Sequence, residues 1–343
     1  MTKKRITIYH LAEELGMSVS YVSRALNNHP LVNQKTKDRV KKRAEELNYK
    51  PNANAANLRQ GSSRTIGVVV PQINHSFFSD VIAGIEEICF QNNHTLIICQ
   101  SHDSYRHECL AVETLIHKNV DCVFISVAAE TQTCTHLEAI RGHDIELIQF
   151  DRCMDQLEGY KVLNNNESAS FEVVEKLIAQ GYKRIAFMGG PAHLSVFKDR
   201  KEGYLNAIGK AGLSIPYNFI IDNALSNQKV VDIATELLSL NDPPDAFFNV
   251  SDHQSLSILK VANTLGIEVP GQLGIFGFAN EGFSSIISPS LSSVDQKSKE
   301  MGNQTANLYF NHILNNTDES PSFTKKIIET EILVRQSSTR TKS

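Results

Sequence analysis

The sequence predicts an all-α head joined by a short linker to an α/β body that is built from two similar doubly wound halves. Apolar residues recur at helical spacing over residues 6–50, which indicates short packed helices. From Thr65 onward, short continuous apolar runs alternate with amphipathic stretches, as in a parallel sheet covered by helices. After residues 164–166 the same alternation restarts, and the body is therefore expected to contain a second half of the same kind.

The head is expected to contain three helices whose ends are marked by capping residues. Gly16 supplies the stop of the first helix, Ser18 the N-cap of the second, and Asn33 the N-cap of a third that runs to about Leu47. The residues predicted to face the small core of the head are Ile8, Leu11, Ala12, Leu15, Val22, Ala25, Leu26, Val40, Ala44 and Leu47.

The charges are distributed unevenly between the head and the rest of the chain. Residues 1–61 hold 12 Lys and Arg against 5 Asp and Glu, whereas residues 62–343 hold 22 against 33, and the net charge of the whole chain is -4. A basic head on an acidic body suggests that only the head meets a polyanion. The same excess would also fit a solvated charged face.

Residues 51–61 form the predicted linker. Pro51 breaks the preceding helix, and the Ala-rich segment after it is about two turns long, too short to be stable as an isolated helix. We expect it to become helical only when something packs against it.

Eight buried strands and six helices are predicted for the body. The strands are expected at 65–71, 95–99, 122–126, 147–150, 184–191 (a strand and the turn after it), 218–222, 246–250 and 273–278. The helices are expected at 79–90, 105–118, 171–180, 199–212, 228–239 and 253–265. In such folds a ligand binds outside the carboxyl ends of the strands, so we expect a site in the cleft between the halves.

Composition and cysteine usage favour a protein of the cytoplasm. The N-terminus has no apolar stretch of signal-peptide length, and no run of about 18 apolar residues occurs. Six cysteines show no paired spacing and sit in apolar surroundings, which indicates small core residues rather than disulfides or metal ligands. They are Cys89, Cys99, Cys109, Cys122, Cys134 and Cys153.

The strongest motif is the pair of short helices joined at residues 16–18, the arrangement of a helix-turn-helix. Val19, Ser20, Ser23 and Arg24 are left on the outer face of the second helix, where a recognition helix meets base edges. Arg24 has the geometry to bind guanine through two hydrogen bonds. The alternative is a three-helix packing module without a nucleic-acid partner.

Several segments together resemble the lactose-repressor (LacI/GalR) family. They are TIYHLAEELGMSVSYVSRALNN, NYKPNANAANLRQGSSRTIGVVVP, RIAFMGGP, DRKEGY, GIFGFANEGF and PSLSSVDQ, and they extend over nearly the whole chain. The resemblance implies a DNA-binding domain at 1–50, a hinge helix at 51–61 and an effector-binding and dimerisation domain at 62–343. It also implies a body like that of periplasmic sugar-binding proteins, with an N-subdomain of about 64–163 plus 294–323 and a C-subdomain of about 164–293 plus 324–338.

The resemblance and the motif together imply a set of DNA contacts. In the family, a leucine of each hinge helix inserts into a base step of the minor groove, and Leu58 occupies that position. The alternative for Leu58 is a plain structural residue of the helix. The complete expected set is Thr7, Tyr9, Ser18, Val19, Ser20, Tyr21, Ser23, Arg24, Asn27, Asn52, Ala55, Leu58 and Arg59.

The resemblance also implies effector-binding positions in the body. Many relatives carry a sugar-binding aspartate after the strand that ends at Phe278, but this chain has Ala279, Asn280 and Glu281 there, so Asn280 is the candidate replacement. For each position a capping or supporting role is the alternative. The expected residues are Asn74, His75, Phe77, Phe78, Asp151, Arg200, Ser251, Asp252, Asn280 and Gln296.

The expected function is that of a sequence-specific DNA-binding transcriptional regulator, a repressor controlled by a small effector such as a sugar or a sugar derivative. The expected partners are a pseudo-palindromic operator and a second copy of the chain, with no membrane, and the location is the cytoplasm, at the nucleoid. The alternatives are a soluble sugar-binding protein without a regulatory role and a cytoplasmic enzyme. No phosphate-binding loop, nucleophile motif or paired metal spacing is present, so we expect no catalytic residues, metal or cofactor.

Overall fold

The computed structural model describes residues 6–49, 62–314 and 325–340. The chain divides into two compact units, a head (Met1–Ser63) and a body (Arg64–Ser343). The predicted fold class, a helical head followed by a body of two parallel-sheet halves, is confirmed. Among the helices of the described residues, none is long and apolar enough to cross a membrane.

The head contains α1 (Ile8–Leu15), α2 (Val19–Leu26) and α3 (Gln34–Glu46), as predicted. Gly16 ends α1 with a left-handed backbone (φ 63°), which costs glycine no steric strain. The side chain of Ser18 accepts from the N–H of Tyr21 at 3.3 Å, and that of Asn33 accepts from the N–H of Thr36 at 2.8 Å. Of the predicted core residues, seven are buried, and the remaining three, Ile8, Leu26 and Leu47, are half-buried against them.

The body contains two sheets and the helices that cover them. The strands are β1 (Thr65–Val70), β2 (Thr95–Gln100), β3 (Cys122–Ile125), β4 (Glu146–Phe150), β5 (Tyr160–Asn164), β6 (Ile185–Met188), β7 (Ile220–Ile221), β8 (Ala246–Asn249), β9 (Gly274–Phe278), β10 (Ser292–Asp295), β11 (Lys325–Ile328) and β12 (Glu331–Leu333). The helices are α4 (Ser76–Gln91), α5 (Tyr105–His117), α6 (Thr135–Arg141), α7 (Asn166–Ala179), α8 (Ser195–Lys210), α9 (Asn227–Leu238), α10 (Asp252–Leu265) and α11 (Ser298–Asn307). A π-helical segment, Leu308–Leu314, continues α11.

Each sheet forms the centre of one half of the body, called a lobe below. The first lobe has the strand order β11-β5-β4-β3-β1-β2, and the second has β12-β10-β9-β8-β6-β7. Every strand pair is parallel except β10 with β12. The inner strands are buried on both faces: Val68 and Phe124 belong to one apolar cluster, and Val69 and Val123 belong to another. This burial on both faces explains the continuous apolar runs in the sequence.

The chain crosses between the lobes three times, and the expected assignment of the C-terminal part differs from the structure. We expected residues 324–338 to lie wholly in the second lobe, but β11 pairs with β5 in the first lobe and only β12 joins the second. Four strands (β5, β10, β11, β12) and two helices (α6, α11) were not predicted as elements. The strand expected at 218–222 is a 3₁₀ turn followed by the two-residue β7, which lies at the edge of its sheet.

Two glycines allow α4 and α11 to pack closely on the first lobe. A Cβ placed on Gly302 would press against the backbone carbonyl of Val81 in α4, and one placed on Gly84 would press against the carbonyl of Lys299 in α11. Backbone atoms cannot move aside as a flexible side chain can, so larger residues at these two positions would separate the helices.

We predict that Gly302→Ala destabilises the body by about 1–3 kcal/mol, the usual effect of overpacking a buried contact. The measurement is the melting temperature from circular dichroism. Gly209→Ala in α8 is the matched control, since a Cβ there meets nothing within 4 Å. The control should melt at the parent temperature or slightly above, because alanine favours helix more than glycine does. Equal melting temperatures for both variants would contradict the packing argument.

Candidate functional site

A cavity of about 290 Å³ lies between the two lobes of the body. The first lobe contributes the segments that follow β1 and β4, and the second contributes α8, the start of α10 and the segment after β9. The cavity therefore lies at the carboxyl ends of parallel strands, where open α/β sheets bind ligands. Its walls combine aromatic side chains with both acidic and basic groups.

Seven of the ten predicted effector-binding residues line this cavity, and three do not. Asn74 is exposed, and the side chains of Asp252 and Asn280 are bonded elsewhere in the second lobe. The seven that line it are His75, Phe77, Phe78, Asp151, Arg200, Ser251 and Gln296.

Arg200 is buried in the cavity wall and is held in place by several groups. Its Nε donates to Oδ1 of Asn166 at 2.9 Å, and its Nη1 donates to the carbonyl of Val250 at 2.8 Å. The guanidinium carbon lies 3.6 Å from the ring centroid of Phe278, a cation–π contact. Burial lowers the pKa of Arg200 to about 10, so the side chain stays charged at neutral pH.

Asp151 supplies a buried carboxylate with few protein partners. It directly follows β4, and its backbone has a left-handed conformation (φ 56°). Burial raises the pKa of Asp151, while the charges of Arg152 and Arg200 lower it. Hydrogen bonds from Ser126 and Gln296 lower it as well, and the Ser126 hydroxyl lies 3.5 Å from Oδ2, a long hydrogen bond. Asp151 therefore has acceptor capacity to offer to a donor in the cavity.

Sequence reasoning missed Arg152, which lies beside Asp151 and faces both lobes. Its guanidinium pairs with Oδ1 of Asp103 at 2.5 Å, and its carbon atom lies 5.8 Å from the ring of Phe78 and 5.4 Å from that of Phe197. The adjacent pair of opposite charges after a strand was the available signal. Asp103 itself gave no signal, because its role depends on the long-range contact with Arg152.

Asp252 does not line the cavity but holds in place a loop that does. The carboxylate of this fully buried residue accepts from the N–H of Glu281 and from the hydroxyl of Ser284, both at 2.8 Å, and from Ser293. Burial raises the pKa of Asp252 to about 7. Its contacts hold the loop after β9, and this loop presents Glu281 to the cavity. Nearby, Asn280 accepts from Arg335 at 2.7 Å instead of facing the cavity.

The remaining lining residues were not predicted, because they are ordinary residues in the sequence and only the fold gathers them. They are Gln72, Asp103, Arg152, Val196, Phe197, Leu225, Asn227, Val250, His253, Gln254, Phe278, Ala279 and Glu281. The described residues contain no group of three or more His, Cys, Asp or Glu side chains that could hold a metal ion.

A hydrogen-bonded cluster joins the three chain crossings between the lobes. The side-chain amide of Asn164 donates to the carbonyls of Gln296 (3.0 Å) and Ile328 (3.1 Å), and Gln296 donates back to Oδ1 of Asn164 at 3.1 Å. Next to it, the amide of Asn165 bonds both Glu329 and the N–H of Thr330. Each crossing is thus tied to another, and Gln296 links this cluster to the cavity.

The head presents a second candidate site on the outer face of α2. Ser20 and Arg24 are exposed, while Val19 and Ser23 are half-buried beside them. Tyr9, with 70% of its surface exposed, projects from α1, and Thr7, Ser18 and Asn27 are also exposed, with Tyr21 half-buried. The predicted hinge contacts Asn52, Ala55, Leu58 and Arg59 lie outside the described residues.

Two family models match the chain. The model described as bacterial regulatory proteins, lacI family, matches residues 7–52. The model described as a periplasmic binding protein-like domain matches residues 174–338. These matches fall on the helical head and on the body that contains the cavity.

Curated relatives and solved structures match over most of the chain. The transcriptional repressor PurR of Vibrio atlanticus is 27% identical over 92% of this chain and 95% of its own length. Catabolite control protein A of Priestia megaterium is 28% identical over 87% and 89%. The Lac repressor dimer bound to operator and the anti-inducer ONPF has a TM-score of 0.81 at 20% identity, covering 98% of this chain and 100% of its own. A complex of the regulator CelR with cellobiose has a TM-score of 0.73 at 23% identity, covering 97% and 100%.

We predict that Asn164→Ala lowers the stability of the body by about 1–3 kcal/mol, because it leaves buried carbonyls and the Gln296 amide without partners. Thermal denaturation measures this loss. Asn206→Ala is the control, since the Asn206 amide bonds Glu167 on the exposed surface. The control should stay within about 0.5 kcal/mol of the parent chain. A loss that is no larger for Asn164→Ala than for the control would mean that the crossings do not depend on this amide.

Proposed function

The chain belongs to the LacI/GalR family of bacterial transcriptional regulators, and on this premise we propose that its head binds operator DNA under the control of a small ligand in the cavity of its body. The single observation that carries the proposal is the combination of a lacI-type head with an inter-lobe cavity lined by Arg200 and Asp151. The family consists of DNA-binding regulators rather than enzymes. A sugar-binding protein without a regulatory role is disfavoured, because ligand binding alone does not require a DNA-binding head.

The outer face of α2 supports direct reading of base edges. Ser20 and Arg24 are exposed on a helix whose N-terminus is capped by Ser18, while its opposite side is buried in the head core. A recognition helix meets bases with its N-terminal residues in this way. Arginine is suited to guanine because its fork of donors matches O6 and N7.

We predict that Arg24→Ala weakens operator binding by about 1–3 kcal/mol, with the loss concentrated at one base pair in each half-site. Binding is measured by fluorescence anisotropy on operators that carry single base changes. Arg39→Ala in α3 serves as the control, because it removes the same charge from another exposed position of the head. The control should lose affinity evenly across sequences or not at all. An even loss for Arg24→Ala as well would assign Arg24 to phosphate contacts only.

The balance of charges in the cavity favours a neutral ligand rich in hydroxyl groups. Arg152 is already paired with Asp103, and the charge of Arg200 acts on Asp151, so the acidic groups of the cavity offset the charges of its two arginines. The free acceptor capacity of Asp151 suits a hydroxyl donor, and aromatic walls suit the apolar faces of a ring. A volume of about 290 Å³ is at the small end of the range for ligand sites.

The ligands of similar solved structures point in the same direction. One solved relative contains cellobiose, and the Lac repressor structures contain ONPF or ONPG. We therefore propose a sugar or a sugar derivative without phosphate as the effector. The test is a thermal-shift screen that pairs each neutral sugar with its phosphate ester, since a ligand that binds the native state raises the melting temperature. Stabilisation by the phosphate esters alone would overturn this part of the proposal.

We predict that Arg200→Ala keeps operator affinity near that of the parent and abolishes the response to the effector found in the screen. The reason is that a ligand shifts an equilibrium only by its differential affinity for the two states, and Arg200 provides part of that affinity. In the parent chain the effector is expected to change operator affinity by about 5–150-fold, the usual size of such coupling, and Arg200→Ala should lose this change. Operator binding with and without effector is the measurement. Asp151→Asn should weaken the response to the effector without abolishing it, because an amide still accepts one hydrogen bond.

A homodimer on a pseudo-palindromic operator is the proposed assembly. The Lac repressor structure that resembles this chain is a dimer bound to its operator. A dimer with two-fold symmetry binds two operator half-sites that are related by the same symmetry. The proposed location is the cytoplasm, with the protein held at the nucleoid through its DNA contacts.

A further inference from the structure

The two lobes also contact each other at the cavity mouth, away from the three crossings. Oε2 of Glu281, in the second lobe, accepts from the N–H of Ser76 at 3.1 Å and from its hydroxyl at 2.5 Å. The rings of His75 and His253 stack across the same gap, with centroids 4.4 Å apart and planes 28° from parallel. These four residues, called the clasp below, come from the N-terminus of α4 on one side and from α10 and the loop after β9 on the other.

Glu281 caps a helix that belongs to the other lobe. The N-cap residue of α4, His75, makes no side-chain cap hydrogen bond of its own, so the carboxylate of Glu281 supplies the missing acceptor. A negative charge at a helix N-terminus is favourable, and charged hydrogen bonds are the stronger ones. Glu281 is only 7% exposed, and Asp252 fixes its loop through the Glu281 N–H. When the lobes separate, all of these inter-lobe bonds are lost together.

The histidine stack tolerates one positive charge more readily than two. Oε1 of Glu281 lies 3.8 Å from Nε2 of His253, so the carboxylate can balance one imidazolium. A second imidazolium would lie face to face with the first at the stacking distance. The other charged groups near His75 oppose each other, because Asp103 favours its protonation and Arg152 disfavours it.

We propose that the clasp closes the cleft at neutral pH and releases it in acid, when positive charge accumulates on the two stacked imidazole rings. The proposal rests on the geometry of the clasp, and only its consequence for the ligand rests on the proposed function. A closed cleft holds the ligand between the lobes, so acid would weaken effector binding.

The direction of the pKa shift agrees with this proposal. Burial lowers the pKa of His75 in the closed arrangement and the neighbouring His253 lowers it further, and these two effects outweigh the charge of Glu281, which raises it. A base whose pKa is lowered in the closed form stabilises that form fully only at a pH above its ordinary pKa near 6.5. This contribution decreases as the pH falls below 6.5 and is lost once the pH has fallen through the lowered pKa. Opening is therefore expected in mild acid.

The experiment is hydrogen–deuterium exchange of the full-length chain between about pH 7.5 and about pH 5.5, corrected for the intrinsic exchange rate. The peptide that covers the start of α4 reports the clasp, because the Ser76 N–H is protected by Glu281. A peptide within α9 is the internal control. We expect protection at the start of α4 to fall in acid to the level of the Glu281→Ala variant at neutral pH, while α9 stays unchanged.

A double variant, His75→Asn with His253→Asn, separates the histidine charges from general acid loosening. It should retain the same α4 protection at both pH values. The proposal is overturned if the parent chain keeps full protection in acid, or if the double variant loses protection as the parent does. Neither DNA nor effector is needed, so a failure here is distinct from a failure of operator binding or of effector response. Should the double variant not fold, the single variants His75→Asn and His253→Asn take its place, since either one removes the second charge from the stack.

Discussion

The architecture of the body depends on one constraint, the requirement that the chain cross between two lobes three times at one place. Each crossing brings backbone groups into a buried region, and buried polar groups are costly unless they are paired. The side chain of Asn164 provides that pairing, since it bonds the other two crossings at Gln296 and Ile328. The crossings therefore form one joint, and the cavity lies beside it. The positions of Arg200 and Asp151 relative to each other follow from this joint.

Sequence patterns predicted most of the fold because the inner strands are buried on both faces and read as apolar runs. The unpredicted strands lack that signal. β5 (YKVLN) and β10 (SSVD) mix polar and apolar residues, and β12 (EIL) has only three residues. The partner of β11 could not be predicted either. It pairs with β5, more than 160 residues earlier, and such long-range pairing depends on the tertiary fold and not on the local sequence.

The candidate site was predictable where a side chain directly follows a strand or begins a helix. Asp151 and Ser251 are of this kind, and both line the cavity. The sequence did not predict which side chains bind a buried partner instead of facing the cavity. Asp252 faces three hydrogen-bond donors inside the second lobe, and its neighbour His253 reaches the cavity instead. The two residues are consecutive in the sequence, and only the packed structure shows which of them faces the cavity.

The close packing of α4 against α11 has a mechanical consequence. Because Gly84 and Gly302 let the two backbones touch, the helices would move together as one rigid bar in any rearrangement of the body. Its pivot is near the crossing at Gln296, because α11 begins two residues later. A helix of 16 residues is about 24 Å long, so a tilt of about 10° displaces its far end by about 4 Å. A small rotation at the crossing would thus displace the far end of the helix far enough to change how two surfaces fit.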